Sequence, residues 1–144
     1  MFDDDVFSFA ESDNLEELEH GLVYLEGLAD KIQLVQGLTI LKIENSGMWR
    51  RTHETLREYR IDQVARLGIP KQTVSDKRKI AQGYLACRDL LKNVSLRGRV
   101  SKLPDLPDVV DSFGQKVAMD LFMNASARDW QDKVREIRAA RGPH

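Results

Sequence analysis

From Leu15 onward, apolar residues recur at alternating steps of three and four: Leu15, Leu18, Leu22, Leu25, Ala29 and Ile32. That spacing is the a/d seam of a coiled coil or a helix hairpin. It predicts a helix whose stripe packs on something, within the fold or across a dimer. Asp13 reads as its N-cap, with Glu16 at the capping-box position. Gly21 and Gly27 weaken such a helix by about 1 kcal/mol each relative to alanine, so packing has to support it. A second apolar run, Ile32, Leu34, Val35, Leu38, Ile40, Leu41 and Ile43, has helical length and stops at Asn45-Ser46-Gly47.

The pattern then repeats in shorter units. Thr55 caps a helix, with Glu58 as its box partner and Ile61, Val64 and Ala65 as its inner face. Leu67-Gly68-Ile69 predicts a sharp turn, with Gly68 in the left-handed conformation. Pro70 suits the first position of the next helix, where a missing N–H has no helical partner to lose. Val74, Ile80, Ala81, Tyr84, Leu85, Leu90 and Leu91 mark its apolar side, and Gly83 marks a bend. Residues 95–107 read as a basic connector broken by Gly98, Pro104 and Pro107. One helix is predicted from Asp108 to Asn124. Another starts at Ser126, with Asp129 in its box and Trp130, Val134 and Ile137 along its core side.

With no strand pattern and no repeat, the predicted fold class is all-α: a helix-turn-helix core with an N-terminal helix and a C-terminal helix pair. The expected organisation is an acidic flexible tail at 1–12, a helical domain at 13–94, a basic connector at 95–107 and C-terminal helices at 108–144. A chain of 144 residues can bury a core without disulfide or metal staples. It has one cysteine, Cys87, which excludes an internal disulfide and reads as inert core. No signal, membrane-spanning or lipidation motif is legible, so the expected location is the cytoplasm, in association with the nucleoid.

Charge sharpens the picture. The formal net charge is −1, but residues 1–30 hold ten Asp and Glu and no Lys or Arg. From Lys42 to Lys102, fifteen Lys and Arg face six Asp and Glu. A basic middle behind an acidic head is compatible with nucleic-acid binding where an evenly neutral chain is not. In the stretch from Tyr59 to Ala81, a polar, cationic second helix follows the glycine turn, the pattern of a helix that enters a major groove. Gln72 and Arg78 can reach adenine and guanine edges, and Thr73 and Ser75 can reach bases or phosphates. Lys71, Lys77, Lys79, Arg50, Arg51, His53, Arg97 and Arg99 complete the predicted DNA-binding set as phosphate-gripping groups.

The stretch from Leu38 through Ala81 also carries a family pattern, in Leu41, Ile43, Trp49, Arg50, Thr52, His53, Thr55, Leu56, Tyr59, Gly68 and Ile69. Over residues 34–85 it resembles a helix-turn-helix family of phages, plasmids and bacterial chromosomes akin to the DNA-binding part of ParB-like partition proteins. Pro70 departs from the serine usual there, and Lys77 from the usual aromatic. The resemblance implies sequence-specific binding of double-stranded DNA in transcriptional regulation, partition or phage control.

Enzyme chemistry has little support. His20, His53 and His144 are scattered without metal-ligand spacing, and no phosphate loop or dinucleotide fingerprint is present. The expectation is a non-enzyme with no catalytic residues, no metal and no cofactor. Its expected partners are double-stranded DNA, a second copy in a homodimer and a protein held through the acidic N-terminal segment, with no membrane. The alternative reading is a helical protein-interaction module that keeps the turn as architecture. Trp130 is expected in the core, with Lys133, Arg135, Arg138 and Arg141 solvated around it.

Overall fold

The computed structural model describes residues 10–142. The predicted tail with Phe2, Phe7, Phe9 and Asp3 to Asp5 therefore lies almost wholly outside the described residues, as do Pro143 and His144. Among the described residues every regular element is an α-helix or a 3₁₀ turn, so the chain is all-α.

The two apolar runs of the N-terminal third form one helix, α1 (Leu15–Ser46): no proline interrupts them, Gly21, Gly27 and Gly37 stay helical, and Gly47 ends it at φ 75°. Its cap is Asn14 rather than Asp13: the Asn14 side chain accepts from the Glu17 N–H at 3.2 Å. Ser12 fixes that register. Its hydroxyl accepts from the Asn14 N–H and donates to the Glu17 carboxylate at 2.6 Å, which moves the box along by one residue.

A 3₁₀ turn (Met48–Arg51) leads to α2 (Leu56–Leu67), capped as predicted by Thr55, which accepts from the Glu58 N–H at 3.1 Å. Gly68, at φ 69°, ends α2 and donates its N–H to the Val64 carbonyl. Pro70 stands just outside α3 (Lys71–Ala86), not at its first position. Its ψ of 145° is extended, and its carbonyl accepts from the Val74 N–H.

The central element is α3, and two glycines set its contacts. At Gly37 of α1 a side chain would run into the Lys77 carbonyl and sit 2.9 Å from the Ala81 methyl, so the two helices cross there backbone to backbone. On α3 itself, Gly83 receives the Leu103 carbonyl where a Cβ would stand. The expected bend at Gly83 is absent because that glycine serves close approach, and α3 runs unbroken to Ala86.

Leu103 belongs to a 3₁₀ turn (Val100–Asp105) inside the stretch expected to be a connector. That stretch is core instead: Val100, Leu103 and Leu106 are at most 2% exposed. Apolar residues at this spacing carry it inward despite the prolines. The predicted helix from Asp108 to Asn124 is two helices, α4 (Leu106–Phe113) and α5 (Gln115–Asn124). They break at Gly114, whose φ of 85° and ψ of 163° suit only glycine. The last helix, α6 (Ala127–Arg141), is capped by Ser126 accepting from the Asp129 N–H, and it buries Trp130, Val134 and Ile137 as expected.

Trp130 packs edge-on against Phe122, with ring centres 6.1 Å apart. The buried Lys102 lies over both rings and donates to the carbonyls of Phe122 at 2.9 Å and Ala125 at 2.7 Å. It thereby satisfies the end of α5, which has no glycine cap. Burial, and then the charge of Arg99, holds the Lys102 ammonium below the usual lysine range. Among the described residues, no helix is long and apolar enough to cross a membrane.

Replacing Gly83 with alanine is expected to destabilise the fold by about 3 kcal/mol, because the clash is with backbone that cannot rotate away. Replacing Gly68 with alanine is expected to cost about 1 kcal/mol, for left-handed strain in open space. Urea denaturation of the two variants checks both values; equal stabilities would contradict this account of the packing.

Candidate nucleic-acid interface

Three helices meet at one carboxylate. Glu44, near the end of α1, has a side chain only 6% exposed. Arg60 of α2 donates to one of its oxygens at 2.6 Å. Arg78 of α3 donates to the other through Nε at 3.1 Å and Nη2 at 2.6 Å. Burial pushes the Glu44 carboxyl up, but the hydrogen bonds and charges of Arg60 and Arg78 outweigh it and hold the group below its ordinary value.

Polar contacts also decide how α2 sits. Its buried residues are Tyr59 and Gln63, one turn apart. Ile61, expected on the inner face, is 63% exposed; Ala65 is exposed too, and Val64 is half-buried. The reason lies in the loop before the helix. The His53 ring stacks edge-on against Tyr59 at 5.4 Å. Its Nε2 lies 3.1 Å from Asp62, and its Nδ1 lies 2.7 Å from the Thr52 hydroxyl. Those contacts, with Arg60 on Glu44, rotate α2 so that the Tyr59–Gln63 side faces in.

Between α2 and α3 this leaves a groove of about 490 Å³. Leu56, Ile61, Val64 and Val74 supply its apolar lining, and Arg57, Arg60, Lys71 and Arg78 its cations, with Gln63 and Ser75 between them. Arg57 and Arg60 were not among the residues predicted for DNA. The available signal was their spacing from Leu56 and Ile61 on a helix whose rotation the sequence does not show.

The predicted site residues divide. Lys71, Gln72 and Lys79 are exposed on α3, with Thr73 and Ser75 half-buried beside them. The Gln72 amide donates to Asp76 at 2.8 Å. Arg50 and Arg51 are exposed on the 3₁₀ turn before α2, with Arg50 over the Trp49 ring at 5.1 Å. The rest are engaged within the chain. Arg78 is held by Glu44, Lys77 donates to Gln36 of α1, and His53 bridges Thr52 and Asp62. Arg99 donates to the carbonyls of Ser95 and Met123. Arg97 lies against Gly27, on the far side of the Gly37 crossing from Glu44. Cys87 is buried, and burial, then the charge of Asp111, pushes its thiol up. Among the described residues, no group of three His, Cys, Asp or Glu side chains is placed to hold a metal ion.

Compared with known proteins, the chain matches no family model, no curated protein and no solved structure.

Glu44→Gln is expected to destabilise the fold by about 3 kcal/mol, since Arg78 is left half-buried beside a neutral amide. A carboxyl held below its unfolded pKa contributes stability above that value and loses it as pH falls through the folded one. The parent chain should therefore lose stability steeply below the ordinary carboxylate range, and the Gln variant less steeply. Denaturation series across acid pH check this; parallel profiles would show that Glu44 is not clamped.

Proposed function

We propose that the chain binds double-stranded DNA, with α3 laid in the major groove and α2 across the phosphate backbone, as in a helix-turn-helix. The observation that carries this reading is the concentration of accessible cations around the start of α3: Arg57 and Lys71 at the groove, and Lys79 two turns on. Lys71, Ser75 and Lys79 form one row of α3 at i, i+4 spacing, and Gln72 and Asp76 form the next. Pro70 offers α3 no side-chain cap. The N–H groups at that end are therefore available to a phosphate, and the helix dipole favours one there. Gln72, oriented by Asp76, keeps its carbonyl oxygen and one amide proton for a base edge.

One such unit reads a half-site, so two copies on a symmetric site are the proposed stoichiometry. The similarity of residues 34–85 to the ParB-like helix-turn-helix pattern supports the same reading, and with it a role in transcriptional regulation, partition or phage control. Arg78 drops out as a base reader in this proposal, because Glu44 engages its guanidinium. A second reading, a protein-interaction module, is favoured by one observation: Leu15 and Leu22 on α1 are 70% and 67% exposed.

Titration of duplex DNA across a salt series is the test. Affinity should fall linearly on a log–log plot, and Lys71→Ala should lower the slope by about one. Gln72→Ala should leave that slope alone and flatten discrimination at one base pair, by about 1–3 kcal/mol. Folded protein that fails to bind at low salt would end the DNA reading.

A further inference from the structure

The N-terminal half of α1 carries a coiled-coil seam that the other described residues leave largely uncovered. Leu15, Leu22 and Ile32 are 70%, 67% and 48% exposed, and Ala29 between them is also exposed. Leu18 and Leu25, at the intervening d positions, are half-buried. The body of the protein reaches this arm near Asp30, whose carboxylate accepts from the Gly98 N–H at 2.8 Å. Toward Leu15 the stripe continues past that contact. Six apolar residues at strict a/d spacing, four of them exposed and two half-buried, are a surface built for a second helix.

Charge states which helix. The described residues 10–30 hold seven Asp and Glu and no Lys or Arg. Glu19 and Glu26 follow the d residues Leu18 and Leu25, so they occupy the e positions that border the seam. A second copy is a poor occupant: antiparallel pairing sets Glu19 against the partner's Glu26, and pairing in either direction brings two acidic arms together. Like charges at such a border act against association, and opposite charges select the partner.

We propose that the Leu15–Ile32 seam docks a cationic amphipathic helix of another protein, its apolar ridge on the leucines and its Lys or Arg side chains on Glu19 and Glu26. This surface is separate from the α2–α3 groove and does not depend on the DNA reading.

The test uses the full chain and two synthetic helical probes of three heptads with leucine at a and d. One carries lysine at e and g; the other carries glutamate. Fluorescence anisotropy at about 0.15 M salt should show the lysine probe binding at least about tenfold tighter than the glutamate probe. Leu22→Glu should weaken the lysine probe by about tenfold or more, although it adds a negative charge to the arm. Leu22 is largely exposed, so its replacement leaves the core intact; Leu15→Glu is the second variant, with circular dichroism as the folding control. Equal binding of the two probes, or lysine-probe binding indifferent to both variants, would overturn the proposal by reducing it to bulk attraction. A stable dimer in sedimentation that Leu22→Glu dissociates would overturn it in favour of a second copy.

Discussion

Everything proposed for the α2–α3 surface depends on one buried carboxylate. Glu44 is the point where α1, α2 and α3 are joined by charge. The apolar contacts of α2 are few: Ile61 and Leu67 on it are at least half exposed. Without the Arg60–Glu44–Arg78 bridge, little would determine the angle between α2 and α3. A buried ion triad is an uncertain source of net stability, because desolvation opposes the attraction. Its firmer contribution is register: two guanidiniums on two different oxygens accept one relative placement of the helices.

The second constraint lies behind α3. Gly37 lets α1 approach its backbone, and Gly83 lets the Leu103 carbonyl approach from the C-terminal half. Both contacts leave no room for a side chain, so α3 is held at its back by shape. A helix fixed that way can carry a fully polar outer face at little cost, because its apolar side already rests on packed backbone. The outer row of Lys71, Ser75 and Lys79 is thus positioned by residues that never touch it. Helices that present side chains to a ligand need this rigidity more than they need propensity.

How much of this was legible beforehand varies by kind of signal. Caps and turns were readable where one residue type does one local job: Thr55 and Ser126 cap as expected, and Gly68 takes the left-handed turn. Trp130, Val134 and Ile137 declared the core side of α6 by spacing. What failed was whatever depends on distant partners. Residues 95–107 look like a linker because glycine and prolines punctuate them, yet Val100, Leu103 and Leu106 find a core that only the folded chain supplies. Gly83 resembles a breaker because close approach and flexibility require the same residue. The rotation of α2 was unreadable, since Tyr59 and Gln63 are buried through His53, Asp62 and Glu44 rather than through an apolar period. The all-helical class was legible throughout; the composition of the candidate site was legible only in its α3 half.

That last failure bears on how charge is read. The basic middle of the chain overstates what is available to a polyanion. Arg60 and Arg78 serve Glu44, Arg66 pairs with Asp62, and Arg99 and Lys102 donate to carbonyls around the end of α5. A cation that closes an internal pair adds little to the field a phosphate feels, whatever its place in the sequence. The excess that remains around α3 is local: Arg57 and Lys71 beside the uncapped N–H groups at its start, Lys79 two turns on, and Arg50 and Arg51 exposed on the 3₁₀ turn before α2. The acidic arm, carried on α1 beyond the Gly37 crossing, keeps its opposite charge at the far end of that helix. Net charge near zero is therefore no obstacle to nucleic-acid binding here, because attraction is governed by the charges within about a Debye length of the contact and not by their sum.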